Sequence, residues 1–184
     1  MANGNKSFWN QPTSDPKRKF RWYLTFTSPQ DPGNTLYLAA KTIDKPKFEI
    51  SNTQHQFINH QFNFPGRLKW EPLAATFVDL ASSPAEGGSD IGRIISGMID
   101  ASGYRVPEGN PDNCKFSITK DQAVAAFGSN FEIIQMDGDN KVVEKWKLAN
   151  PWISQVQYGD LSYEDDGLVE ISVTIVYDWA QREV

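Results

Sequence analysis

The strictest alternation of apolar and polar residues lies near the C-terminus, in the stretch Val169-Glu170-Ile171-Ser172-Val173-Thr174-Ile175-Val176-Tyr177-Asp178-Trp179. Successive side chains of a β-strand point to opposite faces of the sheet. The apolar residues at the odd-numbered positions from Val169 to Trp179 therefore share one face, and the other face is mostly polar. The pattern predicts a strand that is buried on one side only.

Shorter stretches with strand patterns precede it, at residues 19–27, 36–42, 69–79, 131–136, 142–148 and 152–158. The predicted core face of the first comprises Phe20, Trp22, Leu24 and Phe26, and that of the third comprises Leu73, Ala75 and Phe77. Pro72 indicates an edge position or a bulge at the start of the third strand. The turn-forming residues at 28–34 favour a hairpin between the first two strands, and the strands after residue 128 favour consecutive hairpins.

Two segments have helical spacing instead. The first places apolar side chains at i, i+3, i+4, i+7 and i+8, namely Ile91, Ile94, Ile95, Met98 and Ile99. Ser89 or Asp90 can cap this helix. Thr119 and Gln122 have the spacing of a capping box, and Gly128 provides a C-terminal stop, which together predict a second, shorter helix. The predicted fold is mainly β: an antiparallel β-sandwich or barrel with one main α-helix and a short second helix.

Two segments depart from these patterns. Residues 1–18 are polar and without a period, which predicts a flexible N-terminal arm, and residues 19–184 form a single predicted domain. Phe8 and Trp9 in the arm either fold back on the core or anchor another subunit.

Residues 45–67 embed apolar side chains among Asn, Gln, His and Thr. The apolar members are Phe48, Ile50, Phe57, Ile58, Phe62 and Phe64. A long stretch of this kind either covers the core of its own subunit or extends outward to pair with a neighbour, and its polarity favours the second.

Composition narrows the possible functions. With 184 residues and 20.7 kDa the chain is long enough to bury a sizeable core. Its 18 Lys and Arg against 23 Asp and Glu give a net charge of −5, which argues against a protein that grips nucleic acid through many phosphate contacts. The apolar runs are too short to span a bilayer, so no membrane insertion of the subunit is expected. A single cysteine and a polar N-terminus favour folding in a reducing cytoplasm over secretion by a cleaved leader.

The residues available for catalysis are few. His55 and His60 have a spacing that would place them on opposite faces of a strand, and neither adjoins an obvious nucleophile. Asp137-Gly138-Asp139-Asn140 resembles the start of a calcium loop, but Leu148 stands where the bidentate glutamate would be needed, so a hairpin turn is favoured. The carboxylates of residues 164–166 indicate a solvated turn. The sequence predicts no catalytic, cofactor-binding or metal-ligating residues, and no enzyme.

Four blocks of sequence, in this order, resemble tail tube proteins of contractile-tailed, myovirus-type bacteriophages. They are Phe64-Pro65-Gly66-Arg67-Leu68-Lys69-Trp70-Glu71-Pro72-Leu73, Asn150-Pro151-Trp152-Ile153, Tyr158-Gly159-Asp160-Leu161-Ser162-Tyr163 and Glu170-Ile171-Ser172-Val173-Thr174-Ile175-Val176-Tyr177-Asp178-Trp179. The likeness extends from about residue 20 to residue 180. The N-terminal arm and the loop at residues 104–115 depart from short members of the family.

The resemblance implies a virion structural protein that forms homohexameric rings. The rings stack into the inner tail tube, within a sheath of tail sheath protein, on a baseplate tube initiator and around a tape-measure protein. DNA passes through the lumen without specific binding. The implied location is the virion tail, assembled in the bacterial host cytoplasm. Residues 45–67 would reach the next ring, and the implied inter-ring contacts are Phe48, Ile50, Phe57, Ile58, Phe62, Phe64 and Arg67.

Two alternatives remain open at this point. In the first, the chain has the same architecture but is a baseplate tube initiator, or the tube protein of a related contractile injection or secretion system. A carbohydrate-binding β-sandwich is an alternative of another class, in which exposed aromatic rings would stack on sugars. The alternation weakens that reading, because it places Trp22 and Trp179 on core faces.

Overall fold

A computed structural model describes residues 16–31, 36, 39–80, 90–104, 117–164 and 166–184. Phe8, Trp9, Ser89 and most of the predicted loop at 104–115 lie outside the described residues.

Two four-stranded antiparallel sheets form the body of the subunit. The first has the order β1-β6-β7-β10, with β1 at Trp22–Thr27, β6 at Ser129–Met136, β7 at Val142–Ala149 and β10 at Trp179–Arg182. The second has the order β2-β5-β9-β8, with β2 at Ala40–Ile43, β5 at Leu73–Val78, β9 at Glu170–Val176 and β8 at Trp152–Gln157. A separate two-stranded sheet pairs β3, Lys47–Phe57, with β4, His60–Glu71. The predicted mainly β, antiparallel fold is confirmed.

One hydrophobic core joins the two larger sheets. Its fully buried side chains include Leu24 and Phe131 from the first sheet and Leu73, Ile171 and Ile175 from the second. Leu73, Ala75 and Phe77 are all buried, as the alternation in this stretch predicts. Pro72 separates β4 from β5, and because β5 is an interior strand, its predicted edge position is wrong.

Helix α1 spans Ile91–Ala101 and adds Ile91, Ile94, Ile95 and Met98 to the core, as the spacing predicts. Asp90 caps it, since its side chain accepts a hydrogen bond from the backbone N–H of Arg93 at 3.3 Å.

Helix α2 spans Lys120–Phe127 and ends at Gly128, whose φ of 111° favours glycine. A Cβ at Gly128 would also collide with the carbonyl of Thr27. The predicted capping box is wrong: Thr119 occupies the N-cap position, but its side chain caps no backbone N–H. The Thr119 side chain instead hydrogen-bonds the carboxylate of Asp121, which lowers the pKa of Asp121.

The C-terminal stretch is not one strand. It forms β9 and β10, which belong to different sheets, and the chain crosses between them at Tyr177 and Asp178. The crossing resets the alternation, so that Ala180 is buried and Trp179 is 53% exposed. The predicted core position of Trp179 is therefore wrong.

Two predicted hairpins are also wrong. Strand β1 pairs with β6, and β2 pairs with β5, so the first two strands do not pair with each other. Leu36, expected in a strand, is helical and buried, and Phe20 lies before β1 and is 75% exposed. Strand β8 pairs with β9 in the second sheet and not with β7. The β6–β7 hairpin is confirmed, with Asp137 accepting backbone hydrogen bonds from Asp139 and Lys141 in its turn.

Candidate assembly surface

The β3–β4 hairpin stands apart from both sheets of the sandwich. Its strands have 11 and 12 residues, and every position is exposed except Trp70, which is partly buried. At about 3.3 Å per residue the hairpin is about 36 Å long. Apart from Trp70 at its base, which packs against the core, the hairpin therefore does not cover the core of its own subunit. An isolated two-stranded hairpin is marginally stable in water, so partners along its length would contribute to its stability.

A β-bulge interrupts the hairpin near its middle. Ile50 is paired with Leu68, but Asn52 is paired with Pro65, so Gly66 and Arg67 together oppose Ser51. The Ser51 hydroxyl accepts a hydrogen bond from the backbone N–H of Arg67 at 2.9 Å. A Cβ on Gly66 would collide with the same hydroxyl, which explains the glycine at this position.

The bulge moves the apolar side chains from one face of the hairpin to the other. Paired residues share a face, and so do residues two apart in a regular strand. Below the bulge, one face carries the base patch, defined as Phe48, Ile50, Leu68 and Trp70. Above it, the opposite face carries the tip patch, defined as Phe57, Phe62 and Phe64. Without the bulge, the β4 residues of both patches would share one face.

The base patch is continuous with the core of the subunit. The rings of Phe48 and Trp70 meet edge to face at 5.3 Å between centroids, and Trp70 lies 6.0 Å from the ring of Tyr177. Each side chain of the tip patch is at least half exposed. Phe48, Ile50 and Leu68 are about as exposed, so the tip patch differs from the base patch in having no part in the ring contacts that join Phe48 and Trp70 to the body.

The face opposite the tip patch carries side-chain amides, namely Asn52, Gln54, Gln56, Gln61 and Asn63. Asn52 donates to Asn63 at 3.2 Å, and Gln61 donates to Gln54 across the strands. Residues 51–66 contain no Lys, Arg, Asp or Glu. The upper half of the hairpin thus has one face of amides and one face on which the tip patch is interspersed with Thr53, His55 and His60. Neither face carries carboxylates or lysine or arginine side chains.

The turn of the hairpin holds two features that the sequence did not reveal. His55 and His60 lie on the same face, because the turn between Phe57 and His60 places them on paired strands, so their predicted opposition is wrong. Ile58 has a φ of 54° and is 76% exposed. Positive φ is costly for a β-branched residue, and such strain is typical of functional positions.

A buried carboxylate secures the segment that leads into the hairpin. Glu144 on β7 accepts hydrogen bonds from Lys45 at 2.8 Å and from the indole of Trp146 at 2.6 Å, and it pairs with Lys17. Lys45 also donates to Gln135 at 2.8 Å. Burial alone would raise the pKa of Glu144, but the hydrogen bonds from its partners outweigh this effect and lower the pKa to about 2.

We expect Glu144 to make stability depend on pH in the acid range. Its folded pKa of about 2 lies below the ordinary 4.5, so its contribution is complete above pH 4.5 and is lost as the pH falls toward 2. Because its lysine partners are half exposed, the contribution is roughly 1–3 kcal/mol. Urea unfolding at pH 7 and pH 3 should show Glu144→Gln less stable at pH 7 and less sensitive to acid than the unchanged protein. Glu49→Gln, on the exposed hairpin, is the matched control; equal acid sensitivity in all three proteins would contradict the expectation.

Both sheets of the sandwich have open edges in the part of the chain that the structure describes. The strand orders leave β1 and β10 at the edges of the first sheet, and β2 and β8 at the edges of the second. Edge strands present unpaired backbone donors and acceptors to any strand that approaches them.

All seven predicted contact residues lie on the hairpin, but the structure divides them. Phe48 and Ile50 belong to the base patch, Phe57, Phe62 and Phe64 form the tip patch, Ile58 lies in the turn, and Arg67 lies in the bulge. Sequence reasoning missed Leu68, Trp70 and the role of Ser51. Gly66 within a strand pattern was the available signal for the bulge.

The described residues were searched for metal-binding groups and for membrane-spanning helices. Among them, no three His, Cys, Asp or Glu side chains form a group that could hold a metal ion. Asp165, part of the acidic run at 164–166, lies outside them. None of the helices found within these ranges is long and apolar enough to cross a membrane.

Within the described ranges the architecture is an open antiparallel sandwich with the helices α1 and α2 and one long protruding hairpin. No family model and no curated protein matches the chain. Chains in solved structures of contractile machines share its fold. Their sequence identities to this chain are low, so the likeness shows the fold alone.

Three matches illustrate this likeness. A chain in the structure of the tube-terminating cap of the anti-feeding prophage is 9% identical, with a TM-score of 0.64 and coverage of 100% of this chain and 99% of that one. A chain in the sheath/tube terminator of PVC, an extracellular contractile injection system, is 7% identical, with a TM-score of 0.63 and coverage of 94% and 99%. A chain in the anti-feeding prophage baseplate is 13% identical, with a TM-score of 0.59 and coverage of 92% and 96%.

Proposed function

We propose that this protein is a structural subunit of the inner tube of a contractile machine, in which homohexameric rings stack inside a sheath. The observation that carries the proposal is the likeness over the whole chain, 100% of this one and 99% of the other, to a chain from a tube-terminating cap.

Ring closure follows from the open edges. An edge strand of one copy can pair with an edge strand of the next, and six such pairings join the sheets of a ring into a continuous barrel. Each copy in a stack is then held by several neighbours at once, which strengthens the assembly beyond any single contact.

The outer face of the second sheet is suited to line the bore. Apart from Glu170, the side chains that the register places on this face are uncharged. They are Thr42, Ala74, Thr76, Val78, Trp152, Gln155, Gln157, Ser172, Thr174 and Val176. Glu170 at its end is paired with Lys41. Tight binding of a polyanion requires unpaired Lys or Arg, so a wall of mostly uncharged side chains lets DNA or another cargo pass without being held.

Two settings fit this tube. In a phage tail it conducts DNA during ejection, next to the tail sheath protein, the tape-measure protein and the baseplate tube initiator. The second setting is an injection system, and the likeness to chains of the anti-feeding prophage and PVC assemblies favours it. Extraction of nucleic acid from purified native particles distinguishes the two, since only the phage tail is attached to a DNA-filled head.

The carbohydrate-binding alternative fits less well. The exposure of Trp179 removes one argument against it. The sandwich is nevertheless shared over nearly its whole length with chains of tube-containing machines. Binding of the purified subunit on a glycan array would revive this alternative.

We expect the purified protein at high concentration and physiological salt to form rings or tubes of uniform diameter with six-fold symmetry in negative-stain images. Pairing of sheet edges and stacking of copies both favour such assemblies by mass action. A protein that stays monomeric under these conditions, by images and by sedimentation, would contradict the proposed function.

A further inference from the structure

An apolar groove of about 480 Å³ lies on the body of the subunit, between α1, α2 and strands β8 and β9. Its apolar lining includes Ile99, Ile118, Ala123, Phe127, Trp152 and Val176. Ile118 is 50% exposed, so the groove is open to solvent. Cavities of this size accommodate small ligands, or a few large side chains.

The charges of the groove satisfy each other. Lys120 and Asp178 are its charged lining residues, and their side chains lie 2.7 Å apart as an ion pair. Asp178 also accepts a hydrogen bond from Asn150 at 2.7 Å. An occupant of the groove therefore needs apolar side chains and no charge of its own.

The upper half of the β3–β4 hairpin has this chemistry. Residues 51–66 carry no Lys, Arg, Asp or Glu, the tip patch gathers three phenylalanines on one face beside His55 and His60, and Ile58 lies in the turn with a positive φ. The two-residue turn between Phe57 and His60 accounts for the positive φ of Ile58, and its side chain is 76% exposed.

We infer that the hairpin tip of one copy of this chain occupies the groove of another copy. Ile58 and the tip patch pack against the apolar lining, and the amide face of the hairpin remains toward water. The inference rests on the proposed function only in that copies of the chain associate. It assigns a receptor surface, whereas the proposed function requires association alone.

The pairing of two different surfaces has a consequence for assembly. The hairpin and the groove belong to different elements, so each copy offers one and accepts one. A head-to-tail contact of this type either closes into a ring or continues as a filament. It can therefore repeat along a tube without any further component.

Disulfide trapping tests the contact directly. Cys114 is the single cysteine of the chain, so Cys114→Ser provides a background free of thiols. One protein then carries Ile58→Cys and a second, distinguished by an affinity tag, carries Ile118→Cys. Both positions are at least half exposed, so the substitutions leave the core intact. The matched control replaces Ile118→Cys by Asp139→Cys, in the exposed turn between β6 and β7.

After mixing and mild oxidation, we expect at least about ten times more mixed dimer from positions 58 and 118 than from positions 58 and 139. Disulfides require Cα atoms roughly 4.4–6.8 Å apart, and a specific contact raises the effective concentration of the two thiols. Mixed dimer at this level supports the inference even if images show no tubes, in which case the proposed function fails alone.

Two results would overturn the inference. In the first, tubes form but positions 58 and 118 cross-link no more than positions 58 and 139. The proposed function would then stand, and the groove would not be the binding site of the hairpin. Preferential cross-linking of Ile118→Cys to Phe8→Cys would assign the groove to the N-terminal segment instead.

Discussion

Replacement of Phe57, Phe62 and Phe64 by serine is expected to leave a folded subunit that forms no tubes. These side chains are at least half exposed in the isolated subunit, so they contribute little to its core. Burying the rest of each one against a neighbour is worth about 1 kcal/mol or more. Loss of all three removes about 3 kcal/mol per contact, which is roughly a hundredfold in the association constant. Circular dichroism tests the fold, and sedimentation with negative-stain imaging tests the assembly.

The opposite face of the same hairpin provides the matched control. Gln54, Gln56 and Gln61 are equally far from the body, and their replacement by serine is expected to leave tubes intact. A shortened hairpin gives an independent test: because Thr53 and Phe64 are already paired, residues 54–63 can be replaced by Asn-Gly, which closes a two-residue turn. Long tubes from the serine variant of the tip patch, or from the shortened hairpin, would show that this segment is not the stacking element.

Local patterns predicted local structure well. The α1 spacing placed Ile91, Ile94, Ile95 and Met98 in the core, because a helix is formed by residues that are close in sequence. The alternation in β5 and β9 likewise identified the buried face of each strand, since that face depends only on the period of two.

Strand pairing was predicted less well, because it depends on contacts between distant parts of the chain. The partner of Leu24 is Ile133, and no feature of residues 28–34 reveals that β1 avoids the nearby β2. The crossing at Tyr177 and Asp178 was hidden by an uninterrupted alternation, which satisfies two short strands as well as one long strand.

The candidate surface was identified from composition, but its geometry was not. Repeated aromatic side chains among amides marked residues 45–67 as a segment that does not belong to the core. Composition does not contain register, and one extra residue in β4 decides which face Phe62 and Phe64 occupy. The distinction between base patch and tip patch therefore required the structure.

Insertion of one serine between Ser51 and Asn52 is expected to abolish tube formation without changing a single side chain of the tip. The extra residue opposes the second residue of the bulge, so β3 and β4 pair regularly and residues 52–65 turn by half a revolution about the hairpin axis. The tip patch then shares the face of the base patch. If a neighbouring copy binds the face that the tip patch occupies in the unchanged protein, the association constant falls about as far as in the serine variant of the tip patch, roughly a hundredfold.

Deletion of Gly66 distinguishes the effect of changing the face from the effect of removing the bulge. It leaves Arg67 alone opposite Ser51, which removes the bulge but keeps Phe57, Phe62 and Phe64 on the face they occupy now. This variant is expected to form tubes, and the insertion variant is not. Tubes from both would show that the contact does not depend on the face presented. If neither variant forms tubes, the loss of assembly follows from loss of the bend that a bulge gives a strand. The direction of the hairpin, and not the face that carries the aromatic rings, would then decide the contact.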